Sequence, residues 1–329
     1  MKLAAALAFT ILLVCASASH AAVARDGQPV MGTVLTVTVV AGDRATAERL
    51  VNEAIDEARR WDDALTIWRD DGELARFNRR AGKGASPVSA RLEHGLLAML
   101  ELSKQSGGAF EPAVAMLPER GDAHALLRRV GDCLAVTPAH DGAGVRSASR
   151  RATTAAPEHA TAKLDAGCAL DPGGIGKGLA LDAIVALLSG RGATAVFLDF
   201  GGSSQTAIGA PPGNSRGWPV LISGLADGKT HGTVLLNDSS LSTSRSGATD
   251  TRPILDPRTK LPVPGPRLAT VLARSATAAD AWSTALVVLG EDGIEKARAA
   301  NLQVFLESAR GASATPGFPF DHSSAPGRE

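Results

Sequence analysis

The sequence predicts an α+β fold in which mixed and antiparallel sheets pack against helices. Two observations carry this. Alternating β-branched segments recur from residue 34 to residue 273, and in the second half strands outnumber helical crossovers. At 329 residues the chain is long enough for one large domain, or two intimate lobes, with ample core.

Residues 1–22 read as a secretory signal peptide. Lys2 supplies the charged start, residues 3–14 the apolar stretch, and Ala16-Ser17-Ala18 or Ser19-His20-Ala21 the small-residue cleavage site. The stretch is too short and too poorly flanked for a membrane span. Val14 precedes Cys15 where a lipidation signal carries a small residue, so a lipoprotein is not expected and the mature protein should be exported, to the periplasm. Residues 23–310 then form the folded domain.

Val30-Met31-Gly32-Thr33 leads into an alternating strand over 34–40. Gly42-Asp43 caps an amphipathic helix whose apolar positions Ala47, Leu50, Val51, Ala54, Ile55, Ala58 and Trp61 recur at helical spacing. Residues 64–68 leave that helix, Asp70-Asp71-Gly72 turns, and 73–78 form a short helix. Ser89 is the N-cap of a long helix stopped by Gly107-Gly108. Residues 118–162 are the least informative, with a helix expected near 123–130 and then loops around a strand or two. A buried strand at 195–200 ends at Gly201-Gly202-Ser203. Antiparallel strands follow at 218–222 and 232–236, then a polar segment over 238–251, a strand at 268–273 and a helix from 277 to Gly290. The Ser-, Pro- and Gly-containing tail, 311–329, is expected to be disordered.

Lys+Arg and Asp+Glu both number 34, so no net charge draws the chain to nucleic acid or to a membrane surface. There is no Tyr and little aromatic content, which argues against a base-stacking platform. Cys133 and Cys168 either pair, which would stabilise by roughly 3–4 kcal/mol, or remain two buried thiols. Neither has a metal-ligand or redox spacing.

The chain reads as a site in one stretch, residues 164–182. A short apolar segment, 168–170, runs into Asp171-Pro172-Gly173-Gly174, and a helical pattern starts near Ile175. Glycines at such a turn let backbone approach a ligand, and a helix N-terminus favours anionic groups. Lys177 adds a cation and Asp171 a carboxylate, which suits a phosphate-containing ligand, with or without a metal. A plain glycine-rich turn with a solvated lysine has the same spacing. It is not a P-loop, because Gly178 follows Lys177 where Ser or Thr is required.

Several separated segments together resemble the ApbE family, the FAD:protein FMN transferases. They are Met31-Gly32-Thr33; Gly72 through Asn78; Gly107-Gly108-Ala109-Phe110; Leu170 through Gly178 with Asp182; Phe200-Gly201-Gly202; Ser242-Thr243-Ser244; Asp256-Pro257-Arg258-Thr259; and Ala279 through Leu286. Their order and spacing carry the resemblance. It implies an ApbE-like fold and an exported enzyme that uses Mg²⁺ to move FMN from FAD to a Ser or Thr hydroxyl of an exported or membrane-anchored acceptor protein, releasing AMP. It also implies that Gly174 (through its carbonyl), Asp280 and Thr284 hold the metal, with Ser283 beside them. Met31, Trp68, Ala109, Phe110, Glu111, Asp171, Lys177 and Leu255 match flavin-contacting positions. Met31 could instead be strand core, Asp280 with Thr284 an ordinary helical turn, and Asp256-Pro257 only a turn.

The departures from the family pattern bear on catalysis. Pro253 stands where members usually carry His, the candidate base for the acceptor hydroxyl, and leaves Asp256 as the catalytic candidate. Glu111 replaces an Asp, Trp68 a flavin-stacking Tyr, Ser283 an Asp, and Lys260 a Gly. Two other activities therefore stand beside transfer. One is an impaired periplasmic FAD-binding protein; the other is an FAD pyrophosphatase giving FMN and AMP. Ser246-Gly247-Ala248-Thr249 also resembles an acceptor motif, but Thr243 occupies the place of that motif's Asp, and a coincidence in a family loop is the simpler reading.

Overall fold

Two strands, β1 (Ala22–Val30) and β2 (Thr33–Ala41), open the fold as a hairpin whose two-residue turn, Met31-Gly32, has positive φ at both positions. That is the turn geometry whose twist matches the paired strands. The computed structural model describes residues 21–113, 129–139, 159–226, 228–247 and 253–321. Residues 1–20 of the signal expected over 1–22, and residues 123–128 of the expected helix, lie outside them.

Next come α1 (Arg44–Leu65), α2 (Glu73–Arg79), β3 (Ser86–Pro87), α3 (Ala90–Gln105), α4 (Val130–Cys133), β4 (Leu134–Thr137) and β5 (Thr161–Leu164). The middle of the chain holds α5 (Gly176–Leu188), β6 (Ala193–Phe200), β7 (Ser204–Ile208), β8 (Trp218–Ser223), β9 (Thr230–Leu236) and β10 (Ser239–Ser246). The last part is β11 (Arg267–Ala273), α6 (Ala276–Leu289), α7 (Asp292–Ala299), β12 (Gln303–Ser308), β13 (Gly311–Ala314) and β14 (Phe320–Asp321). None of the described helices is long and apolar enough to cross a membrane.

The main sheet has eight strands in the order β1-β2-β6-β7-β10-β11-β12-β13, with every neighbouring pair antiparallel. Two three-stranded sheets, β14-β9-β8 and β3-β5-β4, complete the strands. Side chains alternate across the main sheet, and the alternation feeds two cores. Val196, Leu198, Ala269, Val271, Val304 and Leu306 join the larger core beneath the helices. Ala207, Leu241, Leu268 and Phe305 point the other way, onto Val220, Ile222, Val234 and Leu236 of the small β14-β9-β8 sheet.

Burial on both faces explains two strands that the sequence hides. β7 and β10 lie centrally, yet they carry Ser and Thr toward the helices. These hydroxyls pair across the ladder instead of meeting water. Thr206 donates to Ser240 at 2.7 Å and Ser204 and Ser242 share a 3.1 Å bond, while on the opposite face Thr243 meets Thr270 at 2.9 Å. Such cross-strand pairs stabilise a sheet where an apolar pattern is absent. The small sheet is tied down by Glu307 of β12. Its buried carboxylate meets Lys229 Nζ at 2.5 Å, His231 Nε2 at 2.7 Å and the Leu225 amide at 2.8 Å.

The tail is a correction. Instead of disorder from 311, β13 pairs with β12 and β14 pairs with β9. Phe318 packs tilted and Phe320 edge-on against Phe305, and Arg216 pairs with Asp321 at 2.9 Å, so two aromatic anchors outweigh the polar composition around them. Residues 322–329 lie outside the described chain. No disulfide joins Cys133 and Cys168, both of which are buried.

Candidate active site

The glycine-rich turn enters α5 between three fixed partners. Asn78 of α2 holds the segment before it, donating to the Leu170 carbonyl at 2.8 Å and accepting from the Leu170 amide at 2.9 Å. Asp171 accepts from the Gly173 amide at 2.7 Å, which closes the turn locally. The Asp171 amide in turn donates to the Pro112 carbonyl at 2.8 Å. The fit is tight at Gly174, where a Cβ would stand 3.0 Å from Thr284 Oγ1 and 3.2 Å from Phe110, so those side chains would have to yield. At 178 a Cβ would stand 2.5 Å from the Ala276 carbonyl oxygen. α5 and α6 therefore meet backbone to backbone at Gly178.

Asp280 sits at the centre, its side chain only 4% exposed. Oδ2 accepts from the Gly178 amide at 3.0 Å, and Oδ1 from Ser242 Oγ at 3.2 Å and Ser204 Oγ at 3.4 Å. Lys177 Nζ, 22% exposed, lies 3.7 Å from Oδ1. One turn along α6, Ser283 donates to the Asp280 carbonyl at 2.8 Å and pairs with Ser244 at 2.7 Å, while Thr284 Oγ1 lies 3.3 Å from Ser244. Residues 242, 244 and 246 share one face of β10, so that strand lays a row of hydroxyls along α6.

Met31 is drawn into the same place. Its methyl would be 3.1 Å from a Cβ at Gly176. Its φ of +51° is costly for a bulky residue, and such strain gathers at functional sites. Asp62 of α1 accepts the Met31 amide, and burial holds the Asp62 carboxyl above its ordinary pKa. Trp68 lies on the loop between α1 and α2, 68% exposed.

Other expected residues stand differently. Ala109 and Phe110 are buried, and Glu111 faces the protein interior. The Glu111 carboxylate accepts from the Val130 amide at 2.9 Å, the Ala113 amide at 3.3 Å and Ser103 Oγ at 3.2 Å. Burial still pushes its pKa above the ordinary carboxylate value. Asp256 is gripped by Arg258, with Nε at 2.9 Å and Nη2 at 2.7 Å, and that guanidinium holds its carboxyl below the usual range. A carboxylate so paired is a weak proton acceptor, which counts against Asp256 as a base. Pro253 lines a cavity of about 220 Å³ with Ser246, Ile254 and Val263, and Leu255 bridges to Pro262 beside it. Part of the acceptor-like motif, residues 248–249, lies outside the described chain.

The arrangement unites Met31, Phe110, Gly174, Lys177, Asp280, Ser283 and Thr284. Among the described residues no group of three or more His, Cys, Asp or Glu side chains could hold a metal. The donors here are one carboxylate, several hydroxyls and backbone, all hard oxygens of the kind Mg²⁺ takes alongside water and substrate phosphate. The Gly174 cradle against Thr284 leaves those donors close together. Sequence reasoning assigned no role to Ser204, Ser242, Ser244, Asp62 or Asp182. The Ser-x-Ser-x-Ser alternation from 240 to 246 was the available signal for the strand.

The profile described as the ApbE family matches residues 31–306. A protein of Treponema pallidum (strain Nichols), named FAD:protein FMN transferase, is 31% identical over 290 residues, covering 79% of this chain and 77% of its own. One of the same name from Klebsiella pneumoniae (strain 342) is 25% identical over 291 residues, covering 84% and 81%. Among solved structures, the apo flavinyl transferase ApbE of Pseudomonas stutzeri superposes with a TM-score of 0.73 at 24% identity, covering 91% of this chain and 96% of that one. The apbe protein of Thermotoga maritima gives 0.74 at 19% identity, covering 90% and 98%.

Proposed function

This chain belongs to the ApbE family and is a flavin transferase, and we propose that it transfers FMN from FAD, with Mg²⁺, to a Ser or Thr hydroxyl of an exported or membrane-anchored acceptor protein. The observation that best supports this reading is the convergence of Lys177, Asp280, Thr284 and the Gly174 backbone at the start of α5. In this reaction the acceptor oxygen bonds to the FMN-side phosphorus, the pyrophosphate P–O bond breaks, and AMP leaves with that electron pair. Mg²⁺, held by Asp280, Thr284 and the Gly174 carbonyl, would neutralise charge on the pyrophosphate. Lys177 adds a fixed cation, and the first turn of α5 directs its dipole at the same anion. Trp68, exposed on the loop between α1 and α2, would offer a face to the flavin.

Among the described residues, neither position singled out for the acceptor proton is suited to take it. Pro253 has no basic group, and Arg258 occupies Asp256. A positioned base typically contributes ~10²–10⁴-fold, so transfer should be slow rather than absent. The same observation favours a second reading, FAD pyrophosphatase, in which water replaces the hydroxyl. Intact mass of a peptide carrying the family's acceptor motif, incubated with mature protein, FAD and Mg²⁺, separates them. A Mg²⁺-dependent gain of one FMN supports transfer; FAD split to FMN and AMP without that gain supports hydrolysis; bound, intact FAD leaves a flavin-binding protein. Asp280→Ala should abolish the metal-dependent reaction, and unchanged turnover would remove the metal assignment.

A further inference from the structure

Helices α5 and α6 clasp each other reciprocally through their first turns. Gly178 of α5 donates its amide to Asp280 of α6 at 3.0 Å. In return, Asp182 of α5 accepts the Ala276 amide on Oδ1 at 2.7 Å and the Thr277 amide on Oδ2 at 3.0 Å. Ser275 Oγ and Thr277 Oγ1 donate to the same Oδ2 at 2.7 and 2.6 Å. In each helix the carboxylate follows its partner's contact point by one turn, 178 to 182 and 276 to 280, so the two halves lie side by side.

This accounts for the whole N-terminus of α6. Ala276 and Thr277 are satisfied by Asp182, Ala278 by Ser275 Oγ at 3.1 Å, and Ala279 by the Ser275 carbonyl at 3.1 Å. Together with the Gly178–Asp280 bond, these contacts set how far α6 sits along α5. Asp280 and Thr284 lie on the next two turns, so their placement against Lys177 and Gly174 follows from the first.

We propose that Asp182 is a positioning residue that sets the register of α6 against α5 and so holds Asp280 and Thr284 opposite Lys177 and Gly174. It acts through those residues, and its catalytic consequence rests on the reading of the site given above.

The test uses the mature protein carrying Asp182→Ala or Asp182→Asn. Hydrogen exchange without ligand reads the clasp directly, because the Gly178 amide bonds Asp280 and not Asp182. In Asp182→Ala its protection should fall at least about tenfold while Val37, in the core of β2, keeps its own. Equal protection at Gly178, or an equal fall at both amides, would overturn the proposal, since global loosening predicts no local effect. Calorimetric titration with Mg²⁺ then asks whether the displaced carboxylate matters. Affinity should weaken about tenfold in Asp182→Ala and by less in Asp182→Asn, whose single amide oxygen can still accept from one of the two N–H groups. If Asp182→Ala fails to fold, Thr277→Val, which removes one donor, should show a smaller local loss at Gly178, and its absence would overturn the proposal. Failure of the wild-type protein to take up Mg²⁺ would sink the metal assignment while leaving the exchange result to decide the clasp.

Discussion

Gly178→Ala places the contact between α5 and α6 under direct test. In an exposed helix the change would gain about 1 kcal/mol, because glycine is the poorer helix former. Here the new Cβ would stand 2.5 Å from the Ala276 carbonyl oxygen and 2.6 Å from Thr277 Cα, and both are backbone. Reaching the 3.4 Å of ordinary contact requires the helices to part by about 0.9 Å. That motion would stretch the Gly178–Asp280 bond from 3.0 Å beyond hydrogen-bonding range. Overpacking costs ~1–3 kcal/mol, and a bond to a charged group contributes ~1.5–3 kcal/mol. Steric strain therefore outweighs propensity, with a net loss of about 1.5–5 kcal/mol. For a chain of this size, at about 1.5 °C per kcal/mol, that lowers Tm by about 2–8 °C. Calorimetric or circular-dichroism melts of the mature protein provide the assay, with Gly131→Ala as the control, since a Cβ there meets nothing within 4 Å. A Tm for Gly178→Ala at or above wild type would refute the close crossing of the two helices.

Three further outcomes are expected. Burial raises the Glu111 pKa, so the folded protein holds that proton more tightly and stability falls as pH rises from 4.5 through the raised value; Glu111→Gln should flatten this slope in urea titrations between pH 5 and 8. Glu307 behaves oppositely: burial works against its charge, but Lys229, His231 and the Leu225 amide prevail and hold it at about 2. Its contribution is present above pH 4.5 and is lost as pH falls toward 2, and Glu307→Gln should remove that acid slope while costing about 2 kcal/mol at pH 7 in the same titrations. Pro253→His should speed FMN transfer by ~10-fold or more if a missing base limits it, read as initial rates of peptide flavinylation.

Much of the architecture is legible in the sequence because local signals and tertiary contacts agree. Ser89 caps α3 through the Leu92 amide, Asp43 caps α1 through Thr46, and Gly290 ends α6 at φ +65°. The signals disappear where partners are distant. A run of serines reads as a loop until Ser204 and Thr206 arrive opposite it, and Phe318 and Phe320 mean little until Phe305 is beneath them. The site divides in the same way. Motif positions disclosed Lys177 and Asp280, but the inward turn of Glu111 depends on the Val130 amide, 19 residues on, and the weakness of Asp256 as a base on the grip of Arg258.

The last strands also decide where this chain can safely be cut. The family profile ends at residue 306, and a truncation after Arg310 would look conservative by that measure. It would strip β13 from the rim of the eight-stranded sheet and β14 from β9, baring two rows of unpaired amides and carbonyls at once. Phe305 and its neighbours would lose their aromatic cover in the same step. Bare strand edges beside exposed apolar rings are templates for pairing with other copies. A chain ending at 310 should therefore accumulate as inclusion bodies or soluble aggregates, whereas one ending just beyond Asp321 keeps β12 and β9 paired and Phe305 covered.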